Sequence, residues 1–78
     1  MKSYYSYMGM TEKIRIMLVK RQNIAEAELA RRLGELPQNL HQKMKRDNFP
    51  EKELQRIAAA LDCKLKISFV MNDTGEEI

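Results

Sequence analysis

The stretch from residue 26 to residue 46, EAELARRLGELPQNLHQKMKR, constrains the fold more than any other part of this 78-residue chain. Ala30 precedes Gly34 by four residues, and apolar residues recur at helical spacing on both sides of the glycine. A small side chain at Ala30 lets two helices cross closely, and Gly34 permits the positive φ of a tight turn. The pattern therefore predicts two short helices joined by a tight turn. The residues expected to face inward are Leu29, Leu33, Leu40 and Met44.

The spacing of apolar residues predicts four helices along the chain. The first covers residues 11–21, with Thr11 as its N-cap, and the second covers residues 25–33. The third covers residues 37–46, and the fourth begins at Pro50. Proline suits a first helical turn because its missing N–H has no intrahelical partner to lose there. The expected fold class is mainly α, a small bundle of four to five helices that contains a helix-turn-helix.

After Cys63 the apolar period changes from helical spacing to strict alternation. Residues 64–71 therefore predict a β-strand, and a single strand leaves its backbone groups without partners. The preferred partner is a second copy of this strand across a homodimer, and the alternative is residues 3–8 of the same chain. The predicted organisation is an N-terminal arm that is a strand or disordered (1–10), a helix-turn-helix domain (11–62), and a C-terminal strand with an acidic tail (63–78).

Charge is unevenly distributed along the chain. The formal net charge is +3, from 14 Lys and Arg against 11 Asp and Glu. Residues 13–46 hold nine basic and three acidic side chains, a local net charge of +6, whereas residues 73–78 hold three acids and no base. Local positive charge predicts an anionic partner, either a phosphate backbone or an anionic membrane surface.

The composition excludes several classes of site. Cys63 is the only cysteine and His41 the only histidine, so we expect no intramolecular disulfide, no zinc site and no catalytic triad. The acidic residues are scattered, and we therefore expect neither an enzyme nor a cofactor. No apolar run approaches the ~20 residues that span a bilayer, and residues 1–10 lack the apolar centre of a secretory signal. The expected location is cytoplasmic, without a membrane partner.

The segments AELARRLG and PQNLHQKMKR resemble the phage-repressor class of helix-turn-helix domains, the Xre-type bacterial regulators. The resemblance covers residues 11–62. It implies a bundle of four or five helices that places its third helix in the major groove of double-stranded DNA, usually as a homodimer. Three positions depart from the family pattern. Leu36 stands where Ser or Thr is usual, Pro37 where Gln is frequent, and Glu26 where Gln usually contacts a phosphate.

The third helix provides the expected DNA contacts. Its inward positions are Leu40 and Met44, and the residues on its outer face are polar. Gln and Asn side chains can form two hydrogen bonds with adenine in the major groove, whereas basic side chains contact phosphates without reading sequence. The candidate base contacts are Gln38, Asn39 and Gln42. The candidate phosphate contacts are Arg32, His41, Lys43, Lys45 and Arg46.

Two functions are open at this level. The first is sequence-specific binding of double-stranded DNA by a transcriptional regulator, preferably a repressor, that reads the major groove with helix 37–46. The alternative is a protein-interaction module on the same fold, an antitoxin or a phage-encoded partner protein, with a toxin or another protein as its partner. The departures at Leu36, Pro37 and Glu26 keep the alternative open, and the predicted strand offers an edge for β-augmentation.

Overall fold

The computed structural model describes residues 9–78 of the chain. Within these residues the chain forms four helices, which are α1 (Met10–Lys20), α2 (Glu26–Leu33), α3 (Pro37–Arg46) and α4 (Glu51–Ala60). The expectation of a small, mainly helical fold is confirmed. None of these four helices is long and apolar enough to cross a membrane. The predicted N-terminal arm falls almost entirely outside the described residues, and so does its predicted pairing through residues 3–8.

The ends of the helices follow from local sequence. Gly34 ends α2 with φ 74°, a conformation that the absence of a Cβ makes readily accessible. Pro37 occupies the first turn of α3, and Pro50 is the N-cap of α4. Three residues, 34–36, therefore join α2 to α3, and they form the tight turn that the sequence predicts.

One face of each helix contributes to a single hydrophobic core. Ala30 is fully buried on α2, as a close approach of a neighbouring helix requires. Burying each larger aliphatic side chain contributes about 1.5–3 kcal/mol to folding. The inward positions predicted for α2 and α3 are confirmed. The buried core residues are Ile14, Leu18, Leu29, Ala30, Leu33, Leu40, Met44, Ile57, Ala58 and Leu61.

Thr11 does not cap α1, contrary to the sequence-based prediction. The helix begins at Met10, and Gly9 is its N-cap. Thr11 is buried instead, and its hydroxyl donates a hydrogen bond of 2.7 Å to the carbonyl oxygen of Met44. The backbone N–H of Thr11 donates to the Asp47 carboxylate at 2.9 Å. These two bonds tie the beginning of α1 to the end of α3.

The prediction of a β-strand over residues 64–71 is wrong, because residues 9–78 contain no strand. The chain forms only an isolated antiparallel bridge there, between Val70 and Glu77. Alternation of apolar residues reports which side chains share a face, but it does not specify a hydrogen-bonding partner. The few backbone groups of this segment that are paired form their hydrogen bonds with the acidic tail.

Residues 69–78 form a short C-terminal hairpin around this bridge. Phe69 and Ile78 exchange two backbone hydrogen bonds of 3.2 Å and 2.8 Å. The turn contains Gly75 with φ 78°. Closing so short a loop costs little chain entropy, which favours pairing with the adjacent tail over pairing with a remote segment.

Candidate nucleic-acid interface

Helix α3 presents a polar arc on the side opposite the core. Leu40 and Met44 anchor the helix and are 0% and 2% exposed. At about 100° of rotation per residue, Gln42 lies opposite these two side chains. Four more exposed polar side chains lie within the same arc. The five residues, termed the outer arc, are Gln38, Asn39, Gln42, Lys45 and Arg46.

The side chains of the outer arc have no hydrogen bond or ion pair with any residue between 9 and 78. Their donors and acceptors are therefore available to a ligand. All three predicted base contacts and two of the five predicted phosphate contacts belong to this arc. The structure brings these residues together on one helix face.

The two residues that flank the outer arc contact acidic side chains. On one side, Nδ1 of His41 lies 3.1 Å from Oε1 of Glu26 at the beginning of α2. On the other side, Nζ of Lys43 lies 3.2 Å from Oε1 of Glu35 and 3.0 Å from Oε1 of Glu53 on α4. Contacts on both sides of α3 restrain its rotation about its own axis, which keeps the outer arc turned away from the bundle.

Lys43 is enclosed by these carboxylates, and only 31% of its side chain is exposed. The hydrogen bond with Glu53 is the largest influence on the Lys43 ammonium, and together with Glu35 it raises the pKa against the opposing effect of burial. Lys43 is therefore charged, but its charge is offset by two neighbouring acids. The structure places this predicted phosphate contact in an internal ion-pair cluster.

Arg32 is likewise bound to other groups of the protein, although its side chain lies at the surface. Its Nη1 donates to the carbonyl oxygen of Ala60 at the end of α4 at 3.1 Å, and its Nε donates to Glu28 at 3.1 Å. Arg31 forms two further hydrogen bonds with Glu28, of 2.8 Å and 2.6 Å. The bonds from Arg31 first, and then those from Arg32, lower the pKa of Glu28 from 4.5 to about 2. Arg32 therefore connects α2 to α4.

Two other arginines, which the sequence did not single out, close the ends of helices. The Nε of Arg21 donates to the carbonyl oxygen of Leu61 at 2.8 Å, and its Nη2 donates to that of Asp62 at 2.9 Å. The Nη2 of Arg56 donates to the carbonyl oxygen of Leu33 at 2.6 Å. The last carbonyl groups of a helix lack intrahelical partners and carry its negative dipole end, so cations stabilise them. No local pattern reveals these bonds, because the partners lie 23 to 41 residues away.

Leu36 is a further candidate contact that the sequence reasoning missed. It is the N-cap of α3 without a side-chain hydrogen bond, and it is 58% exposed. It shares a shallow surface depression with Asn39 of the outer arc. An apolar side chain at the edge of a reading helix can contact the methyl group of thymine. The signal in the sequence was the departure from Ser or Thr at this position.

Residues 9–78 contain no group of three or more His, Cys, Asp or Glu side chains that could hold a metal ion. Comparisons with protein-family models, with curated proteins and with solved structures found no significant match.

Proposed function

We propose that this chain is a sequence-specific transcriptional regulator, a repressor that binds double-stranded DNA and reads the major groove with the outer arc of α3. The observation that carries the proposal is the outer arc: five exposed polar side chains, none bonded to residues 9–78, on a helix anchored by Leu40 and Met44. The major groove of B-DNA admits an α-helix. In this function α2, the three-residue turn and α3 act as a helix-turn-helix.

Gln38 and Gln42 are the principal base contacts in this proposal. They are four residues apart, which separates them by about 6 Å along the helix axis, close to two base-pair steps. Each amide can donate to and accept from the major-groove edge of adenine. Asn39 lies at one side of the outer arc and reads a neighbouring base, beside the exposed Leu36.

The predicted phosphate contacts divide into two groups. Lys45 and Arg46 are exposed and contact the DNA backbone directly. Arg32, His41 and Lys43 contact acids or helix ends within the protein. His41 and Lys43 hold α3 in position, and Arg32 connects α2 to α4. This division assigns the non-specific, salt-dependent part of the affinity to the first group.

Selection of binding sites from random duplexes at moderate salt tests the proposal directly. We expect an enriched motif and, if two copies bind together, two half-sites about 10 bp apart. Gln42→Ala should weaken binding to the selected site by roughly 10-fold, the loss of one adenine contact, while it leaves non-specific binding unchanged. Gln55→Ala, an exposed amide on α4, is the matched control. The absence of a motif, or equal effects of the two variants, would contradict DNA reading by α3.

The second candidate function is the protein-interaction module, an antitoxin or a phage-encoded partner protein. It is favoured by the C-terminal hairpin, where Phe69 and Ile78 are 79% and 71% exposed. A toxin encoded beside this gene that co-purifies with the wild-type chain, and not with Phe69→Ser, would support this function. Either function is exercised in the cytoplasm.

A further inference from the structure

An apolar groove with a cavity volume of about 540 Å³ lies between α1, α4 and residues 64–67. The residues that line it come from these three segments and from neither α2 nor α3. Its apolar lining includes Ile16, Met17, Leu54, Leu65 and Ile67, and its rim carries Lys13, Lys20 and Lys64. These three lysines form no ion pair with any residue of the described chain. The groove is therefore apolar inside and positively charged at its rim.

The C-terminal hairpin has two chemically different faces. Phe69 and Ile78 exchange both backbone hydrogen bonds, so they lie directly opposite each other with their side chains on one face. Met71 joins that face because side chains two residues apart along an extended segment share a side. Val70 and Glu77 belong to the opposite face. The apolar face of the hairpin, defined as Phe69, Met71 and Ile78, is exposed in the described structure.

On the opposite face of the hairpin, the Glu77 carboxylate is paired with groups of its own chain. Oε2 of Glu77 lies 3.1 Å from Nζ of Lys66, and hydrogen bonds from Ser68 first and then from Lys66 lower the pKa of the Glu77 carboxyl. By contrast, Asp73 at the turn and Glu76 on the apolar side form no ion pair with residues 9–78. The hairpin therefore offers an exposed apolar face together with two acids that have no cationic partner in the described chain.

The groove lining and the apolar face of the hairpin are adjacent along the chain. Leu65 and Ile67 line the groove, and the same alternation continues to Phe69 and Met71. A short hairpin is marginally stable by itself in water, so a surface that buries its exposed apolar face would stabilise it. A second copy of the chain supplies that surface with complementary chemistry, because its groove is apolar and its rim is basic.

We propose that this chain forms a two-fold symmetric dimer in which the apolar face of each C-terminal hairpin packs into the groove between α1 and α4 of the other copy. Asp73 and Glu76 meet the lysines at the groove rim, so that the charges pair as the apolar surfaces are buried. The contact is reciprocal, which closes the assembly at two copies. The groove contains no residue of α3. The dimer contact is therefore separate from the outer arc, and it does not depend on DNA binding.

Sedimentation of the full chain without DNA tests the dimer. The wild-type chain should sediment as a dimer at micromolar concentration. Phe69→Ser should raise the dissociation constant of the dimer by about 100- to 10,000-fold, because the two-fold dimer loses a buried aromatic side chain at each of its two contacts. Val70→Ser is the matched control, because Val70 is 61% exposed on the opposite face. Far-ultraviolet circular dichroism should show unchanged helix content in both variants, since neither residue belongs to the core.

A charge-reversal pair tests the predicted partner surfaces. Lys13→Glu in the groove rim and Glu76→Lys on the hairpin should each weaken the homodimer. In an equimolar mixture, the dimer of one copy of each variant has opposite charges at both contacts, one reversed and one as in the wild type, so the mixture should associate more tightly than either variant alone. A monomeric wild-type chain, equal effects of Phe69→Ser and Val70→Ser, or no recovery in the mixture would overturn the proposal. Pairing of hairpins edge to edge would appear as insensitivity to Lys13→Glu and would also overturn it.

Discussion

The carboxylate of Asp47 caps the first turn of α1 by accepting a hydrogen bond of 2.9 Å from the backbone N–H of Thr11. Asp47 itself ends α3 with φ 52°, a conformation that Asp and Asn adopt more readily than most residues. Its charge also lies near the positive end of the α1 dipole. The backbone of Asp47 therefore ends α3, the proposed reading helix, and its side chain caps α1.

Replacing Asp47 should weaken both functions of this residue. Asp47→Ala removes the acceptor for Thr11 and the tolerance for positive φ, so we expect the free energy of unfolding to fall by about 1–2 kcal/mol. Asp47→Asn retains an oxygen acceptor and a residue that tolerates positive φ, so its free energy of unfolding should fall much less. Urea unfolding, monitored by circular dichroism, measures the free energy of unfolding of both variants. Equal midpoints for Asp47→Ala and the wild type would show that the cap contributes nothing.

Gly9 should be coupled energetically to Asp47. A Cβ at Gly9 would overlap the Asp47 carboxylate, which must then rotate away and release Thr11. Gly9→Ala should therefore lower the free energy of unfolding by about 1–2 kcal/mol in the wild type, the value of the lost cap. In an Asp47→Ala background the overlap is absent, and the same substitution should have almost no effect. Additive losses in this double-mutant cycle would refute the coupling.

Lys43 and Lys45 should separate stability from DNA affinity, although they lie two residues apart. Lys43→Gln leaves Glu35 and Glu53 without their shared cation, and the free energy of unfolding should fall by about 1 kcal/mol. Lys45→Gln should leave unfolding unchanged. It should weaken binding to every DNA sequence and reduce the slope of log affinity against log salt by about 1.

Urea unfolding and DNA titration at several salt concentrations measure the two effects. If Lys43→Gln alone reduced the salt slope, Lys43 would be the phosphate contact that the sequence predicted. In that case its ion pairs with Glu35 and Glu53 would have to open on binding.

Glu28 should contribute to acid stability over a defined pH range. Hydrogen bonds from Arg31 and Arg32 lower its pKa from 4.5 to about 2, so the folded state holds the carboxylate more strongly than the unfolded state does. This stabilisation is complete above pH 4.5 and is lost as the pH falls towards 2. The difference in the free energy of unfolding between the wild type and Glu28→Gln should therefore shrink through this range. A difference that stayed constant from pH 6 to pH 2.5 would contradict the assignment.

The helices were predictable from local sequence because their signals are local. Gly34, Pro37 and Pro50 mark helix ends through backbone constraints that act within a few residues. The inward positions follow from a period that the helix itself imposes. Predicted and observed helix ends agree within one residue where the prediction gave them, except for the role of Thr11.

The features that sequence could not reveal depend on distant partners. Glu53 lies ten residues from Lys43, and Ala60 lies 28 residues from Arg32. The pairing of Arg32 with Glu28 four residues before it is a local pattern, but nothing near Arg32 indicates its bond to the end of α4. The C-terminal hairpin was missed for a related reason. Only residues 76–78 follow the turn, and three residues are too few to show the alternation of apolar and polar side chains that predicts a strand. The sequence therefore contains no sign that the tail pairs with residues 69–71.

The outer arc separates the proposed recognition of DNA from folding. Its five side chains have no hydrogen bond or ion pair within residues 9–78, so their identities can change without disturbing the core or the contacts that hold α3. If the outer arc reads DNA as proposed, duplicated genes for such a chain can diverge at these positions and acquire new operators while they retain the same scaffold. Under the same proposal, a library at these five positions would explore new DNA targets on an unchanged fold.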